Sequence, residues 1–227
     1  MKKTFLYLFI LVSAGEILST LIDIPFGHLI CKPAIMITLG LYYLVTQRSR
    51  NESLSVPLIV AIIFSCAGDV LLMFQESNAN YFMFGLGAFL VAHVFYIFAY
   101  KQHQGAGSAD ELQGLRKIRF ALPIVLSGTG LITILYNRLG DLKIPVVLYA
   151  SILTYMVLVA LFRFGKTNVR SFALVFGGAI LFMISDSLIA INKFLEPLPQ
   201  AGFWIMLTYI SAQFLLIIVR GLLRHQA

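Results

Sequence analysis

The stretch Ser171–Phe194 reads SFALVFGGAILFMISDSLIAINKF, and it constrains the chain more than any other. Thirteen of its first fourteen residues carry no hydrogen-bonding side chain. A run this apolar is as long as a helix that crosses a bilayer, which needs roughly 20 residues. Only a helix or a closed barrel satisfies the backbone in lipid, so the segment must be helical. Asp186 lies inside it, and Asp69 repeats the situation in SCAGDVLLMF. A carboxylate at that depth is costly, so it faces a protein interior or a wet cavity and marks function.

The pattern recurs along the chain. Eight apolar spans are predicted at about 4–22, 29–46, 56–74, 81–100, 118–136, 144–162, 171–191 and 201–219. The fold class is therefore all-α, an integral membrane bundle of eight transmembrane helices. Composition agrees: 59% of the 227 residues are apolar and 12% charged, with mean hydropathy +0.90. Soluble domains average about 45–50% apolar and about 25% charged. No separate soluble domain is expected. The N-terminal MKKTFLYLFILVSAGE resembles a secretory signal, but its apolar run continues to Ile24 and seven spans follow. It reads as the first transmembrane helix.

The net charge of +7 does not point to nucleic acid, because its cause is topological. Of the seventeen Lys and Arg residues, thirteen fall at the termini and on the connections after even-numbered spans. Arg138, Lys143 and Lys193 fall on the other connections, and Lys32 opens span two. Basic loops stay in the cytoplasm, so both termini are expected there. The longest connection, Gln102–Gly114, reads as a flexible cytoplasmic linker between two four-helix halves, about 1–101 and 118–227, of one transmembrane domain. The strings GDVLLM at 68–73 and SDSLIA at 185–190 occupy equivalent places in those halves and hint at a duplication. The Lys-Lys start suits a bacterial inner membrane. Cys31 and Cys66 make no C-x-x-C pair and read as small apolar fillers.

The polar residues within spans are few. Glu16, Asp69 and Asp186 fall in the outer half of spans one, three and seven. Glu16, close to a helix end, also fits an interface residue. Lys32 opens span two on the same side, free to snorkel or to pair with Glu16 or Asp23. His93 and Tyr96 share a face of span four, as do Tyr209 and Gln213 in span eight, each pair about one helical turn apart. These residues could converge on one pocket, or serve as a core histidine and as interhelical hydrogen bonds. The many Phe residues read as lipid-facing bulk. Pro residues fall at span starts or in loops, with Pro57 and Pro123 in first turns.

Two neighbouring acids can share one proton and so offer a general acid beside a base or electrostatic stabiliser. That suits cleavage through a cationic, oxocarbenium-like intermediate. No G-x-S-x-G, H-E-x-x-H or P-loop is present, and His28, His93, His103 and His225 are scattered. A metal held by His93, Asp69 and Asp186 is a weaker reading. The same acids would also serve a proton-coupled or cationic-solute transporter, for which broken helices or an inverted repeat would speak. A purely structural membrane component would tolerate Asn or Ser at both Asp positions.

At these positions the sequence resembles the lysoplasmalogenase family, called YhhN-like in bacteria. The matching pieces are Lys32-Pro33, Ala67-Gly68-Asp69 and Ala92-His93-x-x-Tyr96 in the first half. In the second half they are Ser185-Asp186, Ala190-x-Asn192-Lys193-Phe194 and Thr208-Tyr209-x-x-Ala212-Gln213. Their order covers nearly the whole chain. The resemblance implies an enzyme that hydrolyses the vinyl-ether bond of lysoplasmalogens to a fatty aldehyde and glycerophosphoethanolamine or glycerophosphocholine. A lipid hydrolase for another lysolipid remains the related alternative. On this reading Asp69 and Asp186 are the catalytic pair, and His93 and Tyr96 orient water or tune them. Lys32 holds the lipid phosphate, while Asn192, Tyr209 and Gln213 line the pocket with Glu16 in support. No cofactor or metal is implied; the partners are a lysophospholipid substrate and the bilayer.

Overall fold

The computed structural model describes the backbone of residues 2–102, 104–105 and 111–222, and side chains within 3–218. Of the predicted features, linker residues 106–110, His103, Arg224 and His225 lie outside the described residues. The described chain is helical throughout: α1 (Lys2–Leu21), α2 (Pro25–Ser49), α3 (Val56–Met73), α4 (Ala79–Gln102), α5 (Gly114–Leu135), α6 (Lys143–Leu161), α7 (Val169–Phe194) and α8 (Ala201–Leu222). Two single 3₁₀ turns, Tyr136–Arg138 and Gly140–Leu142, join α5 to α6. All eight helices are long and apolar enough to cross a membrane.

Helix starts follow local chemistry. The side chain of Ser55 accepts from the Leu58 amide, and that of Asn168 from the Ser171 amide, each satisfying an otherwise orphaned N–H. Pro25 and Pro57 occupy first-turn positions, where a missing N–H costs nothing. Two prolines depart from the sequence expectation. Pro33 and Pro123 lie inside α2 and α5, and both helices run through them. α2 starts earlier than predicted, so Lys32 stands two turns inside it rather than at its opening. Pro inside a membrane helix is tolerated because neighbours re-satisfy the backbone.

The bundle is inverted relative to a soluble protein. Large apolar side chains such as Leu11, Phe26 and Leu115 point outward from α1, α2 and α5. Asp69, His93 and Gln213 are buried. That is the distribution lipid solvent selects. The core is nevertheless also aromatic. Phe82, Phe89 and Phe182 are buried, which corrects the reading of the Phe residues as lipid-facing bulk: a membrane bundle packs them inside as well.

Two close helix pairs frame the interior. α3 lies against α4, where a Cβ on Gly68 would stand 2.6 Å from the Phe89 ring. α7 lies against α8, where a Cβ on Gly178 would stand 2.8 Å from Leu216 and 3.1 Å from the Ala212 carbonyl. Small residues let membrane helices approach this closely, and they fix the depth of the polar groups beside them. α5 is peripheral and buries only Ile124, Gly128 and Leu135. Around the linker, Glu111 pairs with Lys166 at 2.7 Å, and Leu112 is buried.

Candidate active site

The close pairing of α3 with α4, and of α7 with α8, brings seven polar side chains to one level of the bundle. They form two arms. In the first, Tyr96 of α4 donates to Gln213 Oε1 at 2.5 Å, and Gln213 Nε2 donates to the Tyr209 hydroxyl at 3.3 Å. Tyr209 in turn donates to Asp69 Oδ2 at 2.6 Å. Every donor points the same way and the chain ends on the carboxylate, so each bond polarises the next. All four residues are buried. Lys32 and Glu16 are charged neighbours of Asp69.

The second arm is shorter. Tyr149 of α6 donates to Asp186 Oδ2 at 2.5 Å. His93 Nε2 stands 4.0 Å from the same oxygen, too far for a hydrogen bond. His93 is fully buried, and neither ring nitrogen has a hydrogen-bond partner. A buried polar group left this way costs free energy, and a water between Nε2 and Asp186 would satisfy one of the two nitrogens.

The arms meet at Phe182, which is fully buried. Its ring centroid lies 4.7 Å from that of His93 and 5.6 Å from that of Tyr209. No hydrogen bond joins the two carboxylates, although Asp69 is a charged neighbour of Asp186. They differ in access. Asp186, together with Tyr149, borders an apolar groove bounded by α4, α5, α6 and α7. Asp69 borders no described cavity and lies behind Tyr209.

The groove encloses about 750 Å³, its open mouth included, and is walled by Leu86, Leu131, Leu153 and Met183 among others. A second cavity, of mixed polar and apolar lining and about 1040 Å³ with the open solvent at its mouth included, opens at the end where odd-numbered helices finish. Lys32, Asn192, His28 and Glu76 line it. The two cavities share Leu72 and Ile189 as walls. The arrangement offers an acid at one level, a long apolar slot beside it and a charged vestibule at one end.

The remaining predicted residues divide. Asn192 lines the vestibule, and its Oδ1 also accepts from the Leu198 amide at 2.9 Å, which ties down the loop after α7. Lys32 lines the vestibule without a hydrogen bond or ion pair among the described residues, so the alternative pairing with Glu16 or Asp23 is not formed there. Glu16 is fully buried rather than at the interface, because His28 Nδ1 meets its Oε1 at 2.6 Å. The sequence reading missed Tyr149 and dismissed His28. Both depend on contacts between neighbouring helices, Tyr149 of α6 with Asp186 of α7 and His28 of α2 with Glu16 of α1, and neither belongs to a motif. Among the described residues, no three His, Cys, Asp or Glu side chains converge as a metal would need.

Comparison with known proteins locates the chain. The sequence model of the YhhN family matches residues 27–221. The chain is 30% identical to lysoplasmalogenase TMEM86A of Bos taurus over 189 residues, which cover 82% of this chain and 72% of that protein. It is 33% identical to lysoplasmalogenase TMEM86B of Sus scrofa over 156 residues, 69% of this chain and 59% of that protein. A lysoplasmalogenase of Mycobacterium bovis is 32% identical over 164 residues, 70% of this chain and 58% of that protein. No solved structure matches. A match that runs from α2 into α8, through both arms, shows that the chain belongs to the YhhN family of integral membrane proteins.

Proposed function

We propose that the chain is a membrane hydrolase that cleaves the vinyl-ether bond of lysoplasmalogens, releasing a fatty aldehyde and glycerophosphoethanolamine or glycerophosphocholine. The observation that carries this reading is the setting of Asp186. Its carboxyl borders an apolar groove that shares the walls Leu72 and Ile189 with a cationic vestibule, surroundings suited to a single-chain phospholipid. The names of the relatives point to the same substrate class.

The chemistry is acid catalysis of enol-ether hydration. Protonated Asp186 gives its proton to the alkenyl carbon one position from the ether carbon. The ether carbon becomes an oxocarbenium ion. The carboxylate left behind then takes a proton from a water held between it and His93 Nε2, and the hydroxide equivalent adds to the cation. The resulting hemiacetal collapses to aldehyde and glycerol hydroxyl. One water is consumed and Asp186 ends as it began. Tyr149 fixes the carboxyl for both transfers. Asp69, buried behind Tyr209 and held there by Tyr209, Gln213 and Tyr96, supplies a second negative charge through the low-dielectric interior and not by contact with the cation. Lys32 takes the lipid phosphate, Asn192 shapes the vestibule floor, and Glu16 supports from beneath it. The residues account for each proton, so no cofactor enters the scheme.

The test is an aldehyde-release assay on purified protein in detergent, with 1-alkenyl lysophosphatidylethanolamine and its 1-acyl analogue. Aldehyde is expected from the alkenyl lipid alone. Asp186→Asn should abolish it and Asp69→Asn should lower it by at least about two orders of magnitude, the upper range for general acid catalysis and electrostatic stabilisation being 10³–10⁴. Near-normal turnover in Asp186→Asn, or no aldehyde from folded protein, would overturn the reading.

A further inference from the structure

The vestibule carries charge that neither the fold nor the proposed protonation step uses. It sits at the cation-poor end of the bundle. Only Lys32, Arg138, Lys143 and Lys193 are basic residues of that end, and two of the four line this one cavity. Arg138 is spent on the Leu195 carbonyl at 3.0 Å, and Lys143 lies over the Tyr136 ring. Lys193 is pinned between Gln75 at 3.3 Å and the Phe82 ring at 4.4 Å. Lys32 has no such partner among the described residues. Its charged neighbour is the buried Asp69, with which it makes no ion pair, so an ammonium two turns inside a membrane helix and lining a cavity is left to take an anion from the cavity side.

His28 stands one helical turn before Lys32 on the same face of α2 and lines the same cavity. Its Nδ1 is held by Glu16 at 2.6 Å, and its Nε2 makes no hydrogen bond among the described residues. Glu16 is fully buried in α1, and its Oε2 is unpartnered. A buried carboxylate that grips one ring nitrogen fixes the ring plane and balances its charge when both nitrogens carry protons. The other nitrogen is then presented as a donor. This is the arrangement by which a carboxylate orients a histidine toward a ligand. Glu76 lines the same vestibule, is exposed and makes no ion pair among the described residues.

We infer that the vestibule is a binding site for a zwitterionic phosphodiester head group, in which Lys32 and Glu16-oriented His28 hold the phosphate and Glu76 receives the ammonium. The inference rests on the lysolipid reading above and names the residues that would select among lysolipids. Glu16 is a positioning residue, since it acts through His28. Lys32 gives a point charge and His28 a directed N–H, so the phosphate is fixed in orientation as well as in place. The apolar groove that holds Asp186 shares the walls Leu72 and Ile189 with this cavity, so a head group bound here would place the alkenyl chain next to that groove.

The test is equilibrium binding to purified full-length protein in detergent, which does not require turnover. The probes are 1-alkyl lysophosphatidylethanolamine, whose saturated ether resists cleavage, 1-alkyl lysophosphatidic acid, which lacks the amine, and 1-alkylglycerol, which lacks the phosphate. Inorganic phosphate and glycerophosphoethanolamine are run as competitors, to separate a lipid head group from a free anion. Lys32→Met and His28→Gln should each weaken both phosphate-bearing lipids roughly tenfold or more and leave 1-alkylglycerol unchanged. Glu76→Gln should weaken the ethanolamine lipid and not the phosphatidic acid analogue. Glu16→Gln should mimic His28→Gln, and it should add nothing in the double variant, whereas independent roles would add. Should Lys32→Met fail to fold, His28→Gln and Glu76→Gln carry the same comparison at the cavity rim.

Equal losses for all three lipids, or none for any, would overturn the site. So would competition by inorganic phosphate as strong as by glycerophosphoethanolamine, since that marks a simple anion site. The two readings fail separately. Head-group-selective binding without aldehyde release from the alkenyl lipid would keep this site and sink the hydrolase. Aldehyde release at wild-type KM in the Lys32→Met, His28→Gln and Glu76→Gln variants would do the reverse.

Discussion

At the residue scale, the candidate site is two carboxylates with unequal surroundings. Asp69 ends a buried relay and Asp186 faces the groove, so Tyr149 matters more to chemistry than its anonymity in the sequence suggests. Tyr149→Phe removes one hydrogen bond to a carboxyl group and no packing volume. A bond to a charged group is worth about 1.5–3 kcal/mol, so kcat should fall roughly tenfold to a hundredfold with KM little changed. Tyr155→Phe is the control, because its hydroxyl meets only Lys101 at the exposed end of α4. Equal effects from the two variants would show that Tyr149 merely packs. The asymmetry also explains what could be read beforehand. Asp69 and Asp186 were legible because a carboxylate in an apolar run is costly wherever the run folds. Tyr149 and His28 were not, since a tyrosine or histidine near a span end is commonplace until a partner 37 or 12 residues away is known.

At the element scale, periodicity and length were enough to place eight helices, because lipid forbids the alternatives. The edges and the two interior prolines were harder. Pro33 reads as a helix start by propensity, and only neighbouring helices make it tolerable further in. Packing depth was likewise hidden: Gly177 and Gly178 are adjacent and indistinguishable in the sequence. A Cβ on Gly177 would meet nothing closer than Leu215 at 3.9 Å, while one on Gly178 would press on Leu216 and the Ala212 carbonyl. Gly178→Ala should therefore lower stability by about 1–3 kcal/mol, the usual cost of overpacking. Gly177→Ala should be neutral or slightly stabilising, since alanine favours helix. Thermal melting in one detergent compares the pair directly. A Gly178→Ala protein as stable as wild type would mean that α7 and α8 are not locked together there, and the register of Asp186 against Tyr209 would lose its anchor. Activity should follow the same order, since α8 carries Tyr209 and Gln213 while α7 carries Asp186.

At the scale of the whole molecule, the distribution of basic residues predicts which leaflet the vestibule faces. Connections α1–α2, α3–α4, α5–α6 and α7–α8 lie at one end and carry three basic residues, Arg138, Lys143 and Lys193, against thirteen at the termini and the other connections. The cost of moving basic residues across the membrane favours the richer end in the cytoplasm. The vestibule, with Lys32, His28 and Glu76, then opens to the outer side, and a lysolipid would arrive from the outer leaflet. Single cysteines test this once Cys31 and Cys66, both unpaired, are replaced by alanine. Ser77, exposed after α3, and Ser53, exposed before α3, stand at opposite ends of the same helix. A membrane-impermeant maleimide added to intact cells should modify Ser77→Cys and spare Ser53→Cys, and permeabilisation should expose the second. The reverse pattern would turn the vestibule toward the cytoplasm. It would make two of the four basic residues at the cation-poor end a site for cytoplasmic lysolipid, and it would require something other than loop charge to orient the bundle. Labelling of both without permeabilisation would mean that α3 does not span the membrane.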